Sequence, residues 1–212
     1  MVKIIALDGP ASVGKSTLAK KISIELDYPL LISGKLYRAI AYEILVNKIN
    51  LNNKGEILRC IKKVNLENLK SSKLYSSKID MLSSIISKKQ YVRNELIKYQ
   101  RQFPIKHGKR KKAVVIEGRD IATVIFPEAE YKIFLWADAK VRAKRRYLQV
   151  RKNGKKANLQ RIYEEINERD KTDLNRKVAP LYPHVNSVLL DTTYLDIEQS
   201  FNLIIKILNS ED

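Results

Sequence analysis

The chain contains a single cysteine, Cys60, so it cannot form an internal disulfide. No apolar run approaches the ~18 residues that a membrane span needs, and the apolar start of the chain reaches Asp8 too early for a secretion signal. Internal repeats, low-complexity tracts and linkers rich in proline, glycine or serine are also missing. These absences predict a globular protein of the reducing cytoplasm, with no membrane partner.

Acidic residues are scarce relative to basic ones. Lysine and arginine total 41 and aspartate and glutamate total 23, which gives a formal net charge of +18. Such an excess attracts anions, so we expect partners that carry phosphate. Nucleic acids and small phosphorylated substrates both meet this expectation, and composition does not choose between them. The length of 212 residues fits a single domain.

Short apolar runs alternate with longer helical patterns, which predicts an α/β domain built on a parallel sheet. Cys60 falls on the apolar side of one helical pattern, where we expect a packing thiol rather than a reactive one. The polar stretches 47–78 and 150–158 interrupt the alternation and are interpreted as insertions on one core. We predict strands at 2–7, 28–32, 113–117, 131–137 and 187–190, and helices at 15–26, 35–46, 79–103, 139–151, 159–168 and 197–208.

Residues 9–16, Gly-Pro-Ala-Ser-Val-Gly-Lys-Ser, match the phosphate-binding loop G-x-x-x-x-G-K-[ST] in full. An apolar strand precedes the loop and a helical pattern follows it, which favours this interpretation over a chance glycine turn before a lysine. Gly9 and Gly14 let backbone N–H groups approach phosphate oxygens at the positive end of the helix. We predict that Lys15, exposed in this cradle, reaches the β- and γ-phosphates of ATP and that Ser16 is a ligand of Mg²⁺.

The predicted strand 113–117 runs into Gly118-Arg119-Asp120, at the edge where α/β sheets bind ligands. A single arginine on a helix is usually solvated, whereas several arginines at the loop ends of one sheet favour a phosphate clamp. The other candidates for such a clamp are Arg38 after the second strand, Arg93 in the long predicted helix, and Arg169 and Arg176 on either side of Asp173.

The sequence offers no convincing general base. His107 lies in a basic loop and His184 follows a proline, so each is most simply a surface histidine. An acceptor that is already a phosphate needs no base, because its second pKa of ~6 leaves it largely a dianion at neutral pH. The predicted chemistry is therefore alignment and charge neutralisation.

Five segments carry further motifs: Asp-Gly-Pro-Ala-Ser-Val-Gly-Lys-Ser-Thr at 8–17, Ser-Gly-Lys-Leu-Tyr-Arg at 33–38, Glu-Gly-Arg-Asp-Ile-Ala-Thr-Val-Ile-Phe-Pro at 117–127, the stretch 168–181 from Glu-Arg-Asp to Ala-Pro-Leu, and Leu-Asp-Thr-Thr at 190–193. In this order, over nearly the whole chain, they resemble the bacterial cytidylate kinases. The resemblance implies one P-loop kinase domain over 1–212, with a parallel five-stranded core and helices on both faces. It also implies a monophosphate-binding region at 34–95, a short lid at 147–167, and transfer of the γ-phosphoryl group of ATP to CMP or dCMP with Mg²⁺.

The same resemblance implies a role for each residue that matches the family's motifs. Lys15, Arg119 and Arg169 are the expected catalytic residues and Ser16 the expected metal ligand. The expected ATP site consists of Gly9, Pro10, Ala11, Ser12, Val13, Gly14, Lys15, Ser16 and Thr17, with Arg145 and Arg146 from the lid region, directly before the lid segment itself. The expected CMP site consists of Arg38 and Arg119 at the phosphate, Ser33, Arg93 and Asp120 at the cytosine, Ser84, Arg169 and Asp173 near the ribose, and Gly34 and Arg176.

The insertion is short for this family, whose members carry a small antiparallel sheet with glycine-rich hairpins before the long helix. Residues 65–78 contain no glycine and little strand alternation, so we expect much of that sheet to be missing. The chain also has Glu117 where the family usually has aspartate, and Ile32 and Lys35 beside the Ser-Gly pair where aspartate and a small residue are usual.

Two other functions remain as alternatives. One is a P-loop kinase for another small molecule, although a metabolite kinase would need a base. The other is a basic nucleic-acid-binding ATPase, supported by the run Lys-His-Gly-Lys-Arg-Lys-Lys at 106–112. No RNA-binding signature or interleaved aromatic residues accompany this run. We therefore expect no specific nucleic-acid partner, and a protein that acts as a monomer.

Overall fold

The structure, a computed structural model, describes residues 2–64, 69, 72–154 and 156–210. Its centre is a five-stranded sheet in the order β2-β3-β1-β4-β5, and every neighbouring pair of strands is parallel. All five predicted strands are confirmed, with small shifts at their ends. They are β1 (Lys3–Asp8), β2 (Leu30–Ile32), β3 (Ala113–Glu117), β4 (Tyr131–Trp136) and β5 (Val188–Asp191).

Helices occupy most of the remaining described residues: α1 (Lys15–Glu25), α2 (Ser33–Val46), α3 (Lys54–Lys62), α4 (Ser77–Ser87), α5 (Gln90–His107), α6 (Ala139–Lys152), α7 (Leu159–Asn175) and α8 (Ile197–Asn209). A 3₁₀ turn lies at Ser72–Leu74 and a π-helical turn at Ile121–Ile125. The last helix starts at a capping box. The Asp196 carboxylate accepts from the backbone N–H of Gln199, and the side-chain oxygen of Gln199 accepts from the backbone N–H of Asp196.

The prediction of one long helix at 79–103 is wrong. The chain leaves the helical conformation at Lys89, whose φ of −84° and ψ of 114° are extended, so α4 and α5 are separate helices. The polar run 87–90 offers no apolar residue that could continue the buried face across this break. The Arg93 side chain from α5 donates to the carbonyl of Ser87 at 3.3 Å, which satisfies an acceptor at the open end of α4.

Two other helix boundaries differ from the prediction. Helix α7 continues to Asn175 instead of ending at residue 168, which places Arg169 and Asp173 on the helix rather than in a loop. Helix α3 forms inside the stretch 47–78, where only the apolar spacing around Cys60 had indicated a helix. Cys60 is buried, and burial raises the pKa of its thiol, so the packing role predicted for it is supported.

Apolar residues cover both faces of the sheet, which confirms the predicted α/β architecture. Ile5 and Leu7 point to the face covered by α1 and α8, and Ile4 and Ala6 to the face covered by α2 and α5. Because side chains alternate along a strand, β1 is buried on both sides, as parallel central strands are. The described residues of the range 34–95 form helices and turns and no strand. The expected loss of the small sheet concerns 65–78, of which residues 65–68, 70 and 71 lie outside the described residues.

Candidate active site

The phosphate-binding loop joins β1 to α1, the arrangement that the motif requires. Gly9 has a φ of +144°, and a Cβ at this position would lie 2.2 Å from the carbonyl oxygen of Leu135, so only glycine fits. The Nζ of Lys15 donates to the carbonyl oxygen of Pro10 at 2.7 Å, within the loop itself. Lys15 is only 4% exposed, which corrects the expectation of an exposed ammonium group.

The motif that begins at Glu117 and Gly118 lies directly beside this loop. Strands β1 and β3 are parallel neighbours with Leu7 opposite Glu117, so the chain leaves both strands at the same edge of the sheet. Gly118 N–H donates to the carbonyl of Leu7 at 2.9 Å, and the Ser16 hydroxyl donates to the Glu117 carboxylate at 3.1 Å. A Cβ on Gly118 would lie 2.6 Å from the Ser33 hydroxyl, so glycine is needed for this close contact with buried Ser33.

Lys15, Arg119 and Arg169 lie close enough together around the loop to affect one another's pKa. Burial, followed by the positive charge of Arg119, lowers the pKa of Lys15 well below its usual value. Burial and the charge of Arg119 also lower the pKa of Arg169. Burial alone would lower the pKa of Arg119 as well, but the carboxylates of Asp173 and Glu117 raise it. This mutual repulsion marks the position where a polyanion would be stabilised.

The Asp120 carboxylate occupies a buried pocket between two guanidinium groups. It forms an ion pair with Arg93 of α5, and Nη2 of Arg176 lies 4.0 Å from its other oxygen. Among the described residues, neither Nε of Arg93 nor Nη2 of Arg176 has a hydrogen-bond partner, although both atoms are buried. Buried guanidinium donors without an acceptor are costly, so these two groups point to a polar ligand in the pocket.

Asp173 contacts both Arg119, near the phosphate-binding loop, and Arg176, near Asp120. Its carboxylate accepts from Nε of Arg119 at 3.0 Å and lies 3.6 Å from Nη1 of Arg176. Although burial works in the opposite direction, Arg119, Arg169 and Arg176 hold the pKa of this carboxyl below its usual value. The carboxylate is therefore ionised at neutral pH and orients the neighbouring guanidinium groups.

The remaining predicted acceptor residues lie around α2 and α4. Arg38 forms an ion pair with Asp80, donates to the carbonyl of Leu74 at 3.1 Å, and stacks 5.1 Å from the ring centre of Tyr75. Ser84 is half-buried on α4, one helical turn after Asp80 and thus on the same side of the helix. Gly34 lies in the first turn of α2, with open space where a Cβ would be.

The two arginines predicted in the lid have different environments. Arg145 donates to the carbonyl and hydroxyl of Thr192 and, at 3.5 Å, to the carbonyl of Val13, so it connects the phosphate-binding loop to the segment after β5. Arg146 is exposed and donates to the side chain of Gln149 at 3.0 Å. The structure therefore brings Arg145 to the loop and leaves Arg146 at the surface.

Sequence reasoning did not assign roles to buried Asp8 and Arg142 or to half-buried Asp170, although Asp8 and Asp170 lie inside quoted motifs. The Asp8 carboxylate accepts from the N–H groups of Ile121 and Ala122, and burial raises its pKa to about 7. Arg142 and Asp170 form an ion pair at 2.6 Å against the phosphate-binding loop. Only packing reveals that contact, because Arg142 is one of many basic residues on α6.

The basic run 106–112 leads into the amino end of β3, at the opposite edge of the sheet from the phosphate-binding loop. It therefore contributes nothing to the cluster described above. Within the described ranges, no helix combines the length and the apolar composition that a membrane crossing requires.

Comparison with known proteins agrees with this geometry. The profile of the family described as Cytidylate kinase matches residues 5–210. A cytidylate kinase of Bacillus cereus is 36% identical over 219 residues, covering 97% of this chain and 95% of the relative. A sugar kinase from Janibacter sp. superimposes with a TM-score of 0.54 at 10% identity over 99% of this chain and 95% of that one. An uncharacterized protein from Eubacterium ventriosum gives a TM-score of 0.56 at 15% identity, covering 99% of both chains. At these identities the two structures support the fold alone.

Proposed function

This chain belongs to the cytidylate kinase family, and we propose that it transfers the γ-phosphoryl group of ATP to CMP or dCMP. The observation that carries the proposal is the concentration of buried Lys15 and half-buried Arg119 and Arg169 at one end of the sheet, where the charge of Arg119 adds to burial in lowering the pKa of Lys15 and of Arg169. Two phosphorylated substrates would bring negative charge that these cations can stabilise. A site for a neutral acceptor would not need cations on both sides of the phosphate-binding loop.

On the donor side, the loop from Gly9 to Thr17 would hold the phosphates of ATP. Its backbone N–H groups lie at the start of α1, where the helix dipole favours anions. Lys15 exchanges the Pro10 carbonyl for phosphate oxygens when ATP binds. Arg145 sits behind the loop at Val13, while Arg146 becomes a ligand only if the segment 147–167 closes as a lid.

On the acceptor side, Arg38 and Arg119 would bind the phosphate of CMP. Ser33, Arg93 and Asp120 would recognise cytosine, whose exocyclic amine is a donor and whose N3 and O2 are acceptors. The unpartnered Nε of Arg93 and Nη2 of Arg176 can donate to such acceptors. Ser84, Arg169 and Asp173 would lie toward the ribose.

Magnesium is expected to arrive with ATP. Among the described residues there is no cluster of three or more His, Cys, Asp or Glu side chains that could hold a metal without help. The hydroxyl of Ser16 beside the Glu117 carboxylate fits Mg²⁺, which is usually held by one or two protein oxygens together with substrate phosphates. When bound, the ion would neutralise charge that develops on the transferred phosphoryl group.

The transfer itself would require positioning and charge neutralisation. The phosphate of CMP is largely a dianion at neutral pH and attacks without a general base. Arg119 and Arg169 would hold the attacking phosphate and the transferred group in line, and Lys15 would balance charge on the donor side. Asp173 keeps Arg119 oriented through the 3.0 Å hydrogen bond already formed in this structure.

A panel of acceptors tests the proposal. With MgATP in a coupled assay, CMP and dCMP are expected to be phosphorylated with a higher kcat/KM than UMP, AMP or GMP. The Lys15→Ala variant is the matched blank, since it should lose activity toward every acceptor. If AMP or GMP is the best acceptor, or if only a hydroxylated metabolite reacts, the proposal is wrong.

Closure of the lid has its own test. Excluding water would prevent hydrolysis of ATP in place of transfer, so residues 147–167 should become protected when both nucleotides are present. Amide exchange of the connection 150–158 is expected to slow when a bisubstrate analogue is bound. Equal exchange with and without the analogue would show that this segment does not act as a lid.

A further inference from the structure

A largely buried ion pair contacts the phosphate-binding loop. Arg142 of α6 and Asp170 of α7 lie 2.6 Å apart, with side chains only 6% and 15% exposed. Both contact Ala11, the third residue of the loop: the Ala11 N–H donates to Asp170 at 3.3 Å and the Ala11 carbonyl accepts from Arg142 at 3.0 Å. The pair therefore fixes both hydrogen-bonding groups of one loop residue.

The next residue of the loop explains why such support is needed. Ser12 has a φ of +58°, in the left-handed region that a residue with a Cβ rarely adopts. Hydrogen bonds on both sides of Ala11 restrict the backbone just before this turn and keep it in the unfavourable conformation. The conformation of Ser12 in turn directs the following N–H groups of the loop toward the place of the phosphates.

A further hydrogen bond connects Arg142 of this pair to the sheet. Arg142 also donates through Nε to the carbonyl of Ala137 at 2.8 Å, at the end of β4, so its guanidinium is fixed to the sheet. Asp170 follows Arg169 directly and lies one helical turn before Asp173 on α7. A contact from Asp170 to the loop thus connects the helix that carries the acceptor-side residues to the donor site.

We infer that Arg142 and Asp170 are positioning residues that set the conformation of the ATP-binding loop and couple helix α7 to it. They touch neither substrate in the proposed function, on which this inference rests for the identity of the two ligands. Both residues are determinants of donor binding that lie outside the phosphate-binding motif. Breaking the pair should therefore weaken ATP binding more than CMP binding.

Electrostatics alone makes the opposite prediction for Asp170. This carboxylate contributes to the negative potential at Arg119, so removing it makes the site more positive. A more positive site would bind the phosphates of ATP more tightly. A positioning role predicts weaker binding, because the Ala11 N–H loses its charged acceptor. The sign of the change therefore separates the two explanations.

The experiment measures the Kd of a non-hydrolysable ATP analogue with Mg²⁺, and separately the Kd of CMP, by titration calorimetry. Asp170→Ala is expected to weaken the ATP analogue by roughly tenfold or more, with CMP changed by less than about threefold. Asp170→Asn keeps an oxygen acceptor for the Ala11 N–H and should recover most of the loss. The control is Glu25→Ala, which removes an exposed carboxylate at the far end of α1 and should change neither constant.

A double-mutant cycle tests whether the two residues act together. Arg142→Met should also weaken the analogue, and the double variant with Asp170→Ala should lose less than the product of the two single losses. If Asp170→Ala does not fold, as judged by circular dichroism, Arg142→Met provides the comparison. Equal or tighter binding of the analogue by Asp170→Ala, or by Arg142→Met where it replaces that variant, or parallel losses for ATP and CMP, would overturn the inference. Failure of the wild type to bind CMP would contradict the proposed function. The ATP measurements would still decide whether Arg142 and Asp170 position the phosphate-binding loop.

Discussion

Arg38 and Asp80 form an ion pair across the gap between α2 and α4, in the pocket proposed for the acceptor phosphate. The side chains are 17% and 33% exposed, so the pair is partly screened by solvent. Arg38 is also the residue expected to bind the phosphate of CMP. In the proposed function the Asp80 carboxylate therefore competes with the substrate phosphate for Nη1 of Arg38.

Replacing Asp80 is therefore expected to improve acceptor binding. Asp80→Asn should lower the KM for CMP about two- to fivefold, since partly exposed ion pairs are worth at most about 1 kcal/mol. The KM for ATP should not change. Glu198→Gln, which removes an exposed ion pair with Lys21, is the matched control and should leave both constants unaltered. An unchanged or higher KM for CMP would show that Asp80 supports Arg38 instead of competing for it.

Replacing Lys15 should separate activity from stability. Lys15→Met is expected to lower kcat by at least about a hundredfold, because the charge on the donor phosphates is no longer neutralised. The same variant should unfold at a higher temperature, since it removes a buried ammonium whose pKa is lowered by burial and by Arg119.

The sign of the Lys15 effect follows from proton binding. A lysine with a lowered pKa in the folded protein binds fewer protons than in the unfolded chain, so it opposes folding at neutral pH. Calorimetric unfolding at pH 7 and the coupled assay check the two effects separately. A variant that is both inactive and less stable would mean that the hydrogen bond from Lys15 to Pro10 supports the fold.

Much of the fold could be predicted from the sequence because its signals are local. Buried parallel strands are continuous apolar runs, and the phosphate-binding loop has fixed residues at fixed spacing. The sequence does not predict the break at Lys89 because helical periodicity extends on both sides of it. The break is supported by a tertiary contact, in which the Arg93 side chain donates to the Ser87 carbonyl at the end of α4. The predicted end of helix α7 at residue 168 is too early because the end of the helix is polar and packs through charges rather than apolar contacts.

The candidate site was predictable in its members but not in its pairings. Motifs identify Arg38 and Asp120, yet each pairs with a residue of a helix far away in the sequence. Arg38 pairs with Asp80 of α4, and Asp120 pairs with Arg93 of α5. Asp80 and Arg142 have no motif that distinguishes them from other charged residues on their helices. Only the folded chain shows that Asp80 forms an ion pair with Arg38 and that Arg142 contacts Ala11.

The buried Asp8 predicts a pH dependence of stability. Burial raises its pKa from 3.8 to about 7, although hydrogen bonds from the Ala122 and Ile121 N–H groups act in the opposite direction. Between these two values the unfolded chain binds fewer protons at Asp8 than the folded protein does. The contribution of Asp8 to the free energy of unfolding should therefore fall as pH rises from about 4 to about 7, by at most about 1.4 kcal/mol per pH unit.

Urea unfolding of the wild type and Asp8→Asn at several pH values measures this contribution. The asparagine does not titrate, so the free energy of unfolding of the wild type minus that of the variant should decrease between pH 4.5 and 7 and then level off. Other titrating groups cancel in the difference. A difference that stays constant over this range would mean that Asp8 is already ionised at pH 4.5 in the folded protein.

The choice of base is expected to depend on Asp120. Its carboxylate is held between Arg93 and Arg176 in the pocket where those guanidinium groups have unpartnered atoms. If the carboxylate accepts from the exocyclic amine of cytosine, Asp120→Ala loses a charge-assisted hydrogen bond and the kcat/KM for CMP should fall roughly ten- to a hundredfold. UMP presents a carbonyl at the same place, which an ionised carboxylate repels, so its kcat/KM should fall less or rise.

The ratio of the CMP and UMP efficiencies decides between this role and a second one. Asp120 could instead organise the Mg²⁺ shell near Ser16, which predicts equal losses for both acceptors because the metal serves either one. In the structure it is Glu117 that accepts from Ser16, which favours base recognition by Asp120. Asp120→Ala leaves Arg93 buried without its partner, so the variant Asp120→Asn provides a second measurement with less risk to the fold. Its amide can donate to the uracil carbonyl, and the CMP to UMP ratio should narrow further than in Asp120→Ala. An unchanged ratio in both variants would rule out recognition of the base by this residue.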